Sequence, residues 1–178
     1  ILFGIAKDEG HIKSLGDTVD VYLPEFKGTV FEGVTLRNML LQKAGTSYKE
    51  FTLVGTAEVD ILAEQGLFTG EKRFTDISTV DLTRATEQGT EFNYSTLTSS
   101  ILGRVVEAAT GRDLAGYMEE KLWKPAGMQH SGFWMLDGEP GVGYAFAGGG
   151  YNATLRDYAR LGQMMLDGGM IDGTQVVP

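Results

Sequence analysis

The chain has 178 residues, one domain's worth, and its 42% hydrophobic and 22% charged content is that of a globular protein rather than a disordered segment. The net charge of −9 opposes binding to a phosphate backbone, and no apolar run reaches the roughly 18 residues that a membrane span requires. Cysteine is absent, which removes disulfides, thiolate metal sites and a cysteine nucleophile, and permits a periplasmic or secreted location.

Helical periodicity and its punctuation predict the elements in order. Ile1, Leu2, Phe3, Ile5 and Ala6 read as a buried helix that Gly10 stops. No capping residue precedes it, and the other end, Gln175 to Pro178, is strand-like, so both ends read as points within a longer chain. A short helix is expected over 18–23, after Asp17 and before Pro24. Thr35 can cap a helix over 36–42 with Leu36, Met39 and Leu40 as its apolar positions. Weaker helices are expected over 56–64 and 79–86.

The strongest helix follows Tyr94. Leu97, Ile101, Leu102, Val105, Val106 and Ala109 share one face, and Gly111 is placed to end it. Asp113 can cap the next, with Leu114, Tyr117, Met118 and Leu122 inward and Pro125 just beyond. The last helix opens on a capping-box-like Thr154–Asp157 stretch and carries the stripe Leu155, Tyr158, Ala159, Gly162, Met165 and Leu166. Strands are expected only over 131–136 and in the tail. The fold class expected is mainly α with minor β, in one unit over residues 1–178.

Few constellations could carry chemistry. In GTEFNYSTL (89–97), Tyr94 and Ser95 stand at the mouth of the strongest helix, where a tyrosine can aim its hydroxyl above the helix N-terminus. A tyrosine, with a reference pKa near 10, acts as a base at neutral pH only beside a cation. On spacing alone an aromatic that packs the loop against the helix is the simpler reading. Gly148, Gly149 and Gly150 fit a tight turn or a pocket wall whose N–H groups approach a ligand, but no phosphate-loop pattern surrounds them. Asp17, Asp20 and Glu25 are expected to be solvated, not metal-binding. The two histidines, His11 and His130, both lie in loop-like sequence, so neither zinc nor a histidine-based triad is expected. Trp134, Tyr144, Phe146 and Tyr151 fit either an apolar rim or core. Ser47, Ser95, Ser99, Ser100 and Ser131 lie in no G-x-S-x-G or S-x-x-K pattern, and Ser14 fails as well, so the chain offers no activated nucleophile.

Four segments, in this order, carry a resemblance: GIAKDEGHIKSLGDTVDVYLPEF, VTLRNMLLQ, the run from GTEFNYSTL to KLWKPAGM, and AGGGYNATLRDYARLGQMMLDGG. They resemble the serine β-lactamase-related superfamily, in the branch with class C β-lactamases, D,D-peptidases, esterases and 6-aminohexanoate-dimer hydrolases. The aminohexanoate-hydrolase and esterase side fits best, from the KLWKPAGM to FWMLDG run and the NATLRDYARLG helix. The resemblance covers nearly the whole chain. It implies the helical subdomain of the β-lactamase/transpeptidase-like α/β fold, without the S-x-x-K helix start and the KTG-like strand.

That resemblance implies acyl transfer to a serine, with Tyr94 as the proton shuttle. Thr96 stands where many members carry asparagine, and Thr96, Gly148, Gly149, Gly150 and Tyr48 would contact substrate. The Lys43–Thr46 turn departs from the usual small serine-rich one. The implied partner is a small amide, ester or lactam substrate; no metal or organic cofactor is implied. The isolated piece is expected to be inactive. The alternative is a non-catalytic relative that binds peptide or cell-wall ligands.

Overall fold

A computed structural model describes residues 1–48 and 82–178. Helix α1 (Leu2–Asp8) buries Ile5 and Ala6, with Leu2 and Phe3 half-covered, while Ile1 is exposed because it precedes the first turn. Gly10, at φ 80°, closes it, a left-handed conformation that favours glycine. Helix α2 (Val19–Tyr22) runs into a 3-10 turn begun by Pro24. Helix α3 (Leu36–Leu40) is capped as expected by Thr35, whose hydroxyl accepts from the Asn38 N–H at 3.2 Å. It stops short of the expected Gln42, whose φ is 56°, and Leu40 is exposed.

The expected helix over 56–64 lies outside the described residues. So does the start of that over 79–86; its described part is extended. There Arg84 bridges Thr46, and the Ser47 N–H donates to the Thr83 carbonyl at 2.9 Å. Gly45 is required in this pairing, since a Cβ on it would fall 2.4 Å from the Thr86 carbonyl oxygen.

Helix α4 (Thr96–Thr110) is the central element. Ser95 caps it by accepting from the Thr98 N–H at 3.0 Å, and Gly111 ends it at φ 67°. Leu97, Ile101, Val105 and Val106 are buried, and Leu102 and Ala109 lie half-buried at the edge of the same core. Helix α5 (Leu114–Met118) is capped by Asp113, which accepts from the Gly116 N–H at 2.8 Å. It widens into a π-turn over Glu119–Trp123, which turns both Leu122 and Trp123 inward.

Strands β1 (Phe133–Trp134) and β2 (Tyr151–Asn152) pair antiparallel with Trp134 opposite Tyr151, and Leu136 bridges Ala145 inside that excursion. Helix α6 (Leu155–Leu166) follows, capped by Thr154. A hairpin of β3 (Met170–Ile171) and β4 (Thr174–Gln175) completes the chain, its turn formed by Asp172 and Gly173, both at positive φ.

The first core gathers α1 to α5 around Phe26, Phe31, Leu36, Leu97, Ile101 and Tyr117. The second joins Met118, Leu122, Trp123, Ala126, Met164 and Val176, and Leu2 and Trp134 touch both. The orientation of α6 corrects the expected stripe. Leu155 is 87% and Leu166 82% exposed, and Tyr158, Ala159, Gly162 and Met165 are exposed as well. Within this chain the buried positions are Asp157, whose carboxylate accepts from backbone donors, and Met164, with Leu161 packed beside the second core.

Candidate active site

The loop 89–95 leads into α4 and is fastened from both sides. The Asn93 side-chain amide donates to the Tyr48 carbonyl at 2.6 Å, and the Asn93 N–H donates to the Gln42 carbonyl at 2.8 Å. The Ser95 N–H donates to Gln42 Oε1 at 3.0 Å, and Gln42 Nε2 donates to Ser99 Oγ at 3.1 Å. Between these anchors Tyr94 presents a side chain that is 45% exposed. Thr96, the first residue of α4, is half-buried beside it in sequence.

The glycine run is brought to this end of α4. A Cβ on Gly148 would lie 2.4 Å from Thr96 Cγ2 and 2.6 Å from the Thr96 carbonyl oxygen, so glycine permits the contact. The Gly148 N–H donates to Ser100 Oγ at 3.2 Å, and the Gly149 and Gly150 N–H groups donate to the Phe146 carbonyl at 3.3 and 2.8 Å. These donors are thus spent on α4 and within the loop, and the run is a close-packed wall rather than a cradle of free N–H groups. Gly149 is exposed and Gly150 buried.

Tyr48, expected at a pocket wall, is instead 3% exposed and belongs to the first core. Its carbonyl accepts from the Asn93 side-chain amide and so ties it to the loop. The serines have structural duties: Ser95 caps α4, Ser100 accepts from Gly148 and donates to the Thr96 carbonyl, and Ser47 Oγ accepts from the Thr83 N–H.

The acidic residues 17, 20 and 25 are more than solvated. Asp17 accepts from the Tyr22 hydroxyl at 2.7 Å, Asp20 from the Gly33 N–H at 2.9 Å, and Glu25 pairs with Arg104 at 2.9 Å. The Gly33 N–H, foremost, holds the Asp20 carboxyl below its usual range. No cluster of metal-ligating side chains occurs among the described residues. The aromatic segment resolves into packing. The Tyr151 ring lies 4.8 Å from Trp134 and 5.2 Å from Trp123, and burial, with Tyr158 and Asp157 nearby, pushes its hydroxyl up to about 12. The Arg104 guanidinium sits 3.4 Å over the Tyr144 ring.

Two anchoring residues escaped the sequence. Gln42 carries an ordinary helix-end signal, and nothing in a glutamine announces positive φ. Asn93 adjoins Tyr94, but its partners lie about 45 residues away.

The architecture is that of the β-lactamase/transpeptidase-like proteins. A Bacillus anthracis protein provisionally named a 6-aminohexanoate-dimer hydrolase superposes with a TM-score of 0.81 at 23% identity, covering 99% of this chain and 48% of that one. D-alanine carboxypeptidase AmpC of Burkholderia cenocepacia gives 0.65 at 22%, over 99% and 48%. At these identities the likeness is one of fold. In sequence, the chain belongs to the Beta-lactamase family, which it matches over residues 2–177. It is 29% identical over 177 residues to the 6-aminohexanoate-dimer hydrolase of Paenarthrobacter ureafaciens, covering 98% of this chain and 44% of that protein. The chain therefore spans less than half the length of that relative.

Proposed function

We propose that this chain is the helical portion of a serine hydrolase that opens amide, ester or lactam bonds through an acyl-enzyme, on the 6-aminohexanoate-dimer hydrolase and esterase side of its family. The observation that carries the reading is Tyr94, exposed at the mouth of α4 and braced on both sides. The family match over residues 2–177 and the 29% identity to an aminohexanoate-dimer hydrolase support it.

The nucleophilic serine and its lysine come from the part of the protein outside this chain. With the lysine ammonium beside it, Tyr94 works as the phenolate: it takes the serine proton as the serine oxygen attacks the carbonyl carbon, then passes that proton to the departing amine or alcohol and is a phenolate again. Water repeats the sequence in reverse to release the acid. Backbone N–H groups hold the oxyanion, and those of Gly148 to Gly150 are not among them because they already donate elsewhere. Thr96 and the exposed Gly149 form the substrate-facing wall, with Gly148 and Gly150 behind it and Tyr48 supporting it from the core. The 178-residue chain alone holds no nucleophile and is inactive.

The test uses the full-length protein with a fluorophosphonate or penicillin probe and with nitrocefin, short p-nitrophenyl esters and aminohexanoate dimer as substrates. Probe labelling is expected, and Tyr94→Phe lowers acylation about 100-fold or more, the range of an acid–base group. Unchanged turnover in that variant overturns the Tyr94 assignment. Failure of the full-length protein to label replaces the enzyme by a ligand-binding relative.

A further inference from the structure

We propose that Gln42 is the positioning residue for Tyr94, and this rests on the reading of Tyr94 given above. Gln42 sits at the end of α3, in sequence 52 residues before Tyr94, with φ 56°. Among the described residues it shares a positive φ, outside glycine, only with Asp172, which lies in a two-residue hairpin turn. Aspartate tolerates that conformation; Gln42 takes it as the residue that ends α3, its N–H donating to the Met39 carbonyl at 3.1 Å and the Lys43 N–H to the Asn38 carbonyl at 2.8 Å, a position glycine usually fills. Where glycine would only end the helix, glutamine also brings a side chain, and its carbonyl and side-chain amide meet the two neighbours of Tyr94.

The Asn93 N–H donates to the Gln42 carbonyl at 2.8 Å, and the Ser95 N–H donates to its Oε1 at 3.0 Å. One residue thus receives the backbone donors on either side of the tyrosine. Its Nε2 reaches one turn further and donates to Ser99 Oγ at 3.1 Å, locking the side chain against α4. The left-handed backbone lets carbonyl and side-chain amide face the same strand of loop. With residues 93 and 95 held on one support, the Tyr94 backbone between them has little freedom to move, and its hydroxyl keeps its place relative to the serine it serves. Misplacement of about 1 Å at such a group costs up to about 100-fold in rate.

The experiment uses the full-length enzyme, with p-nitrophenyl acetate turnover and fluorophosphonate acylation as readouts. Gln42→Gly keeps the left-handed backbone and the carbonyl but removes both side-chain bonds. Gln42→Glu keeps an acceptor for Ser95 and loses the donor to Ser99. Gln42→Gly is expected to lower kcat about tenfold with KM within about twofold, and Gln42→Glu to fall between it and the parent. Introduced into Tyr94→Phe, Gln42→Gly is expected to cost less than about twofold more, because the group it positions is gone.

A kcat within about twofold of the parent in both variants overturns the proposal. So does an undiminished loss in the Tyr94→Phe background, which marks Gln42 as a stitch between α3 and α4 that acts independently of the tyrosine. Should Gln42→Gly not fold, Gln42→Glu in both backgrounds decides the same question. If Tyr94→Phe itself keeps full turnover, the functional reading fails first and this proposal with it, a result distinct from additivity alone.

Discussion

Asp157 shows how one buried carboxylate can set the attitude of a helix. It is fully buried; Oδ1 accepts from the Gln129 N–H at 2.8 Å, and Oδ2 accepts from Thr154 Oγ1 at 2.8 Å and the His130 N–H at 3.2 Å. Donation from Gln129, then from Thr154 and His130, holds its pKa below the usual carboxylate range. A group depressed in the fold stabilises above its unfolded pKa of about 4, and that contribution is lost as pH falls through the folded value. The melting temperature is therefore expected to drop on acidification below about pH 4. Asp157→Asn is expected to melt several degrees lower near neutrality and to show a flatter acid limb, because its amide turns a donor toward donors. Equal melting temperatures at neutral pH would remove this role. The sequence marked Asp157 as a capping position of α6; its two partners about 28 residues upstream were invisible to a local pattern.

At the scale of elements, the ends of helices were legible and their faces less so. Thr35, Ser95, Asp113 and Thr154 each cap the helix that follows, and Gly111 closes α4 in the left-handed form. These are contacts within a few residues, so composition specifies them. The inward face of α4 was also legible, since a long apolar stripe leaves one choice. In α6 the stripe and the buried face diverge, and a pair of substitutions measures this. Met164→Ala, at a site 1% exposed, is expected to cost about 2–5 kcal/mol. Leu155→Ala, at a site 87% exposed, is expected to change stability by less than about 0.5 kcal/mol. Denaturant unfolding of the two reads the difference, and equal losses would restore the apolar stripe as the packed face.

Across the whole molecule, distant segments are tied by a few specific links. The Tyr117 hydroxyl donates to Glu9 Oε2 at 2.9 Å across 108 residues of sequence, and Lys121 pairs with the same carboxylate at 2.6 Å. That lysine, foremost, lowers the Glu9 pKa, while burial first and then Glu9 raise that of Tyr117. Arg104 joins Glu25 to the Tyr144 ring and so binds the 133–152 excursion to α4. Where Gly148 meets Thr96, the approach is too close for any side chain. Gly148→Ala is expected to destabilise by about 1–3 kcal/mol through overpacking, and, under the proposed function, to raise KM in the full-length protein as the wall shifts. Wild-type stability and kinetics in that variant would show that the loop yields freely.

The sequence by itself determined most of the described helices and where they start and stop, and that Tyr94 stands at a helix mouth, because caps, glycine stops and 3.6-residue periodicity act over a few neighbouring residues; it did not foresee that 82–86 is extended. Only the tertiary structure decided that Gln42 leaves the helix to hold both sides of that tyrosine, that Tyr48 is core, that the glycine N–H groups are already engaged, and that α6 turns Asp157 inward. Each of those outcomes depends on where a hydrogen-bond partner tens of residues away comes to rest, and a buried donor or acceptor without its partner costs more than an apolar side chain left in water.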